Sequence, residues 1–209
     1  REPCDAAGRQ RFLATVEFFP EDGKYHCDGH RKCGVCLEPQ ETRNLQGLCQ
    51  VCGKDLTVGV LHRVLELADR TEPSYPASSP QVHSLIPLAE IISELLDVGA
   101  ASNRVMAAYT RLISLFGSEF QLLLDVPLED IRSQGDPLLA EAIARVRKNE
   151  VIRQPGYDGA FGVIRVFSEG ERAQLGGQRS LFAGTGQGKT RQRARKATLL
   201  PDAGQAVLT

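Results

Sequence analysis

The chain has 209 residues, with 25 basic and 26 acidic side chains, a formal charge of −1 and 42% apolar residues. Those values suit one or two globular domains and exclude a globally basic nucleic-acid binder, so any such surface must be local. No apolar run is long enough to span a bilayer and no charged-apolar-small leader opens the chain, so no membrane partner is expected and the expected location is cytoplasmic. The chain starts at Arg1 rather than Met, and reads as a fragment or a processed piece.

Residues 1–11 carry no pattern and read as a remnant N-terminal segment. Phe12 to Phe19, FLATVEFF, is apolar, β-branched and aromatic enough for a strand, which Pro20 and Asp22-Gly23 stop in a turn. The following thirty residues are rich in Cys, Gly, Lys and Arg and cannot bury much of a core. After Cys52, KDLTVGV reads as a short strand or turn, and Leu61, Val64, Leu65 and Ala68 take helical spacing. Residues 71–80, TEPSYPASSP, read as a linker between a module at 12–70 and a domain at 81–168.

That second domain is mainly helical. Leu88, Ile91, Ile92, Leu95 and Leu96 form one apolar stripe, and Val105, Tyr109, Leu112 and Phe116 form another. Ser102 is placed to cap the start of the second helix and Gly117 its end. A third helix has Asp136 as its cap and Pro137 in its first turn, with Leu139, Ala142, Ile143 and Val146 facing inward. FQLLLDVPLEDI is ambiguous between strand and helix, and GVIRVF at 162–167 reads as a C-terminal strand. Residues 169–209 are rich in Gly, Gln, Arg and Lys and are expected to form a disordered tail. The expected fold class is therefore α+β: a small zinc module, then a mainly helical domain with a C-terminal β-strand.

Five of the six cysteines fall between Cys27 and Cys52. Close pairing without a signal peptide favours thiolates held by metal over disulfides. Cys33-x2-Cys36 and Cys49-x2-Cys52, twelve residues apart, have the spacing of two knuckles completing a tetrahedral Zn²⁺ shell. Gly53 lets the backbone turn behind the second knuckle. Cys27-x2-His30 also has ligand spacing, so either residue can substitute for Cys33 or Cys36. With every position filled by protein, such a zinc ion is structural and no catalytic residue is assigned.

From Ala183 to Thr190, AGTGQGKT satisfies a relaxed phosphate-loop pattern in which Lys189 and Thr190 would meet phosphates and Mg²⁺. The flanking QRSLF and RQRARKA offer neither a buried strand nor an apolar-faced helix, so a flexible glycine-rich segment is the favoured reading.

VEFFPEDGKYHCDGHRKCGVCLEPQET and LCQVCGKDLTVGVLHRVLELADR resemble the zinc-binding region of the endonuclease Q family, whose members often carry the label of UvrD-like DNA helicases. LIPLAEII, FGSEFQLLLDVPLEDI and PGYDGAFGVIRVF are similar to its C-terminal region in the same order. The resemblance implies a DNA repair endonuclease that cuts 5′ to uracil, hypoxanthine, xanthine or an abasic site. It also implies catalytic divalent metals in an N-terminal PHP domain, for which this sequence shows no HxH motif. The chain is therefore expected to be the zinc-containing, DNA-binding portion, inactive alone, with a PHP nuclease domain and DNA carrying deaminated bases as partners. His30, Arg31, Lys32, His62, Arg63, Arg70 and Tyr157 are the candidate DNA contacts, and Tyr25 is a second candidate for stacking on a base. Two other readings remain: a stand-alone zinc-dependent nucleic-acid- or protein-binding module, and a piece of a nuclease–helicase fusion.

Overall fold

A computed structural model describes residues 12, 14–70, 74, 80–134, 136–168 and 170–171. The apolar run at the start gives strand β1 (Ala14–Glu17), and Pro20 opens a 3-10 turn over Pro20–Asp22. Two three-residue strands follow, β2 (Asp28–His30) and β3 (Val35–Leu37). They pair antiparallel with Asp28 opposite Leu37 and His30 opposite Val35. Between them, Arg31–Cys33 forms a 3-10 turn that Gly34 ends at φ 66°, a left-handed conformation that strains any side chain. Helix α1 (Pro39–Asn44) opens with a capping box in which the Glu38 N–H donates to Glu41 Oε2 at 2.9 Å. Helix α2 (Val60–Leu67) follows Gly59 but buries none of its residues, and Val64 and Leu65 of the expected stripe are exposed.

Beyond residue 80 the order is β4 (Gln81–Ser84), α3 (Leu88–Leu96), α4 (Asn103–Phe116), α5 (Leu128–Gln134), α6 (Pro137–Arg147), β5 (Ile152–Gln154) and β6 (Val163–Arg165). The caps fall where the sequence puts them. Ser102 Oγ accepts the Val105 N–H at 3.3 Å, and Asp136 Oδ1 accepts the Leu138 N–H at 2.8 Å. The ambiguous QLLLD stretch, Gln121–Asp125, is a single π-helical turn, and Pro127 separates it from α5. β5 and β6 form an antiparallel hairpin with Gln154 opposite Val163.

The main core lies among α3, α4, the π turn, α5 and α6. Leu88, Ile91, Ile92, Val105, Leu122, Leu123, Ile131, Leu139, Ile143 and Val146 are all buried, each contributing about 1.5–3 kcal/mol of transfer free energy. Phe19 joins this same cluster from before β2, as do Val166 and Phe167 after β6. β1 pairs in parallel with β4, Ala14 lying opposite Gln81 and Glu17 opposite Ser84. The α+β expectation is thus borne out. Residues 71–80 lie mostly outside the described residues, and the segments on either side share a strand pairing and a core. The remnant at 1–11 and nearly all of the tail at 169–209 also lie outside them.

The π turn leaves backbone carbonyls that an ordinary helix would pair, and Arg147 meets them. Its guanidinium donates to the carbonyls of Leu123 at 2.8 Å, Leu122 at 3.0 Å and Val126 at 2.7 Å. Arg147→Met keeps the aliphatic bulk and removes the donors. It is expected to cost about 1–3 kcal/mol, the penalty for buried acceptors left unmet, seen as a lowered melting midpoint by circular dichroism. An unchanged midpoint would show that water serves these carbonyls equally well.

Candidate functional site

Four chemically suitable side chains converge where β2 ends and two tight turns meet. The ligand atoms of His30, Cys33, Cys49 and Cys52 all lie within 4.8 Å of one another, and Cys52 Sγ stands 3.3 Å from His30 Nδ1. This group could hold a metal ion. One imidazole and three thiolates suit tetrahedral zinc in a closed, structural site, which supplies cross-linking rather than an activated water.

The gathered set draws in His30, which the sequence offers as a substitute ligand, and leaves Cys36 outside it. The reason is strand alternation. β3 begins at Val35, whose side chain packs with Cys49 and Leu56 in a small core that Cys33 and Leu37 join. Cys36 therefore points to the opposite face, beside Cys27 and Glu38. Burial pushes the Cys27 thiol up to about 12, with Cys36 and Glu38 adding to it, and burial raises the Cys36 thiol too.

The sequence does contain a signal for the right partition. His30-x2-Cys33-Gly34 and Cys49-x2-Cys52-Gly53 repeat one pattern, and both glycines have positive φ, 66° and 69°. The Gly34 N–H donates to the Arg31 carbonyl at 3.1 Å and the Gly53 N–H to the Cys49 carbonyl at 2.7 Å. A left-handed glycine after the second ligand closes each knuckle, so Cys33 ends a knuckle rather than opening one. Burial acts to raise Cys49, but amides of Val51 and Cys52, then His30 and Cys52, outweigh it and bring the thiol down to about 6. Cys33 moves the other way, to about 11, through its hydrogen bond to Cys52 first and burial second. A cluster whose thiols cannot all ionise side by side is one that a cation relieves.

The PGYDG turn, more than a hundred residues downstream, fastens onto this module. The Cys27 N–H donates to the Gly156 carbonyl at 3.0 Å. Asp158 accepts the Arg31 N–H at 2.7 Å and the Thr57 hydroxyl at 2.6 Å. The Thr57 hydroxyl, then the Arg31 amide, hold its carboxyl below the usual carboxylate range. The ring of Tyr157 lies against Gly29 so closely that a Cβ there would sit 2.5 Å from the ring. On the other side of β2, the fully buried Asp28 accepts the Gly59 N–H at 2.7 Å and pairs with His62 Nδ1 at 2.5 Å.

These contacts sort the candidate DNA residues. His30 is drawn into the metal group, and Tyr157 is committed to packing rather than displayed. His62 bridges Asp28 and Glu66, Arg63 pairs with Glu66 at 2.9 Å, and Arg70 pairs with Asp69 at 2.8 Å. Arg31 and Lys32 are exposed on the turn inside the first knuckle, a basic pair on a fixed backbone. Lys189 and Thr190 lie outside the described residues.

The profile of the MJ0043 C-terminal domain family matches residues 87–150, the helical core. The uncharacterized protein MJ0043 of Methanocaldococcus jannaschii is 30% identical over 159 residues, covering 76% of this chain and 20% of that protein. The lesion-specific endonuclease PfuEndoQ from Pyrococcus furiosus superimposes with a TM-score of 0.66 at 36% identity, over 75% of this chain and 38% of that one. Endonuclease Q complexed with a 27-mer duplex carrying an abasic lesion at the active site gives a TM-score of 0.64 at 36% identity. That match covers 77% of this chain and 40% of the solved one. The chain thus spans well under half the length of each of these proteins.

Cys36→Ser is expected to leave zinc content at one equivalent per chain, whereas His30→Ala and Cys49→Ser should lose most of it, read by elemental analysis of purified protein. Loss of zinc from Cys36→Ser alone would restore the four-cysteine shell. For Asp158 the folded carboxyl is depressed, so its stabilisation is present above the unfolded value of about 3.9 and disappears as pH falls through the folded value. Asp158→Asn should therefore lower the melting midpoint at pH 7, and the gap from the parent chain should narrow as pH falls below the unfolded value of about 3.9. A gap that stays constant over that range would show that charge is not what Asp158 contributes.

Proposed function

The chain belongs to the endonuclease Q family as a counterpart of its C-terminal half, and from that premise we propose that it is the zinc-containing, DNA-gripping portion of a lesion-specific DNA repair endonuclease. The observation that carries this reading is the similarity, over 77% of this chain at 36% identity, to a solved endonuclease Q complexed with a duplex carrying an abasic lesion. The local physics supports it: a donor set suited to zinc fixes the turn that displays Arg31 and Lys32, and basic side chains on a rigid backbone lose little entropy when they meet phosphates. In this reading the zinc site is structural. Incision 5′ to uracil, hypoxanthine, xanthine or an abasic site belongs to a PHP domain holding catalytic divalent metals, in the part of the longer relatives that this chain does not span.

The PGYDG turn has a defined part in the proposal. By accepting the Arg31 amide, Asp158 ties the basic turn to the helical core through the β5–β6 hairpin. DNA contacts made by the zinc module are thereby held in fixed orientation to the remainder of the chain.

Gel retardation at low salt should show the chain binding duplex DNA, more tightly when the duplex carries an abasic site or uracil. Arg31→Ala with Lys32→Ala should weaken binding to every duplex alike and reduce the salt dependence by about two counterions. Failure to retard any duplex would remove DNA gripping from this part of the molecule. Equal affinity for damaged and undamaged DNA would leave gripping and remove lesion reading.

A further inference from the structure

The most conspicuous unexplained feature near the metal group is an exposed aromatic side chain on a tightly fastened loop. Phe161 is 67% exposed, yet the backbone around it is hydrogen-bonded on both sides. The Ala160 N–H donates to the Tyr157 carbonyl at 2.8 Å, and the Gly162 N–H donates to the Asp22 carbonyl at 3.0 Å. A Cβ at Gly162 would run into the Glu21 carbonyl oxygen, so the loop sits directly on the neighbouring backbone. The phenyl ring is thus held out in water by a scaffold that does not let it fold inward.

Two further side chains share this surface. The Gly159 N–H donates to the Lys24 carbonyl at 2.9 Å, which ties the 24–25 segment to the loop. A Cβ at Gly159 would lie 3.5 Å from the Tyr25 hydroxyl, and the Tyr25 side chain is 49% exposed. Lys24 Nζ stands 4.9 Å from the centre of the Phe161 ring. Phe19 and Phe167 also have an arginine over the ring, but both are buried. Phe161 is therefore the exposed ring with a cation beside it among these. Of the acids beside this loop, Asp158 is engaged by Thr57 and Arg31 and Glu21 pairs with Arg153 at 3.0 Å, while Asp22 is exposed.

We infer that Phe161 and Tyr25, with Lys24 beside them, form a stacking site for an unpaired nucleobase. The inference deepens the DNA-gripping reading and rests on it. A rigid π-face accepts any base, a lysine at its edge suits the adjoining phosphate, and the basic Arg31 turn is fastened to the same loop through Asp158. A lesion or an abasic site leaves a base without its stacking or pairing partner, and such a base takes an exposed ring at least cost. Tyr157, one of the two aromatics the sequence offers for this role beside Tyr25, has its ring on Gly29, and Phe161, further along the same loop, has the exposure that role needs.

The chain contains no tryptophan, so Phe161→Trp in the full chain creates a single fluorescent reporter at the site. Titration with single-stranded oligonucleotide, and with a duplex holding one unpaired base, should quench the emission of the introduced indole to a plateau. The matched control Phe120→Trp, at another exposed aromatic, should stay unquenched. Phe161→Ala should weaken binding to the unpaired-base duplex roughly tenfold and leave a fully paired duplex unchanged. An unquenched Phe161→Trp variant, or equal affinities of Phe161→Ala and parent chain for the unpaired-base duplex, would overturn the stacking site. Loss of self-association in Phe161→Ala with intact DNA binding would overturn it in favour of a protein contact. Should the parent chain bind no DNA at all, the gripping function fails first, visible as no retardation of the fully paired duplex.

Discussion

Residues 27–57 have only Val35, Cys49 and Leu56 as a buried apolar cluster of their own. Three such side chains do not offset the conformational entropy of ordering a segment of that length. The convergence of His30, Cys33, Cys49 and Cys52 is the constraint on which the rest of the module would depend, because it brings both turns and the end of β2 to one point where a metal ion could be held. A metal held there would replace the missing interior with bonds, and its binding free energy would be folding free energy. β2 and β3, three residues each, are too short to stand alone, and they occur beside this group of ligand side chains.

The module is also held from outside. Asp28, fully buried, receives the Gly59 amide and His62, and this fixes the start of α2 against β2. The PGYDG turn covers the other side, with Tyr157 on Gly29 and Asp158 on Arg31 and Thr57. Both clamps use carboxylates that accept charge-assisted hydrogen bonds, which are stronger than neutral ones and define direction as well as distance. The consequence is that a basic turn and an exposed aromatic ring reach the surface on backbones with little freedom. Rigid display of that kind lowers the entropic cost of contacting a polyanion and its bases.

The helical half achieves order by different means. Its core is ordinary and apolar, and the polar groups within it are tied off individually. Glu119 accepts the Leu88 amide and the Tyr109 hydroxyl, Glu94 accepts the amides of Val166 and Phe167, and Arg147 donates to the carbonyls of the π turn. Phe19 enters this core from the N-terminal side, and β1 pairs with β4, so the segments before and after residues 71–80 share a core and a strand pairing.

Local chemistry in the sequence was enough to place α3, α4 and α6 with their caps at Ser102 and Asp136, because amphipathic spacing and N-cap hydrogen bonds act within a few residues. The metal-binding character of the segment was equally legible, since two-residue spacing between soft ligands is a local property. The choice between Cys36 and His30 was written in the glycines after each knuckle but was decided by β3, whose alternation turns Cys36 away from the group. The pairing of β1 with β4, the closure of the π turn by Arg147 and the seating of PGYDG on β2 join residues far apart in sequence. No local pattern encodes such contacts. Only the tertiary structure could therefore seat the Tyr157 ring against Gly29 and hold Phe161 out towards solvent, because which aromatic is exposed depends on what the rest of the chain packs against it.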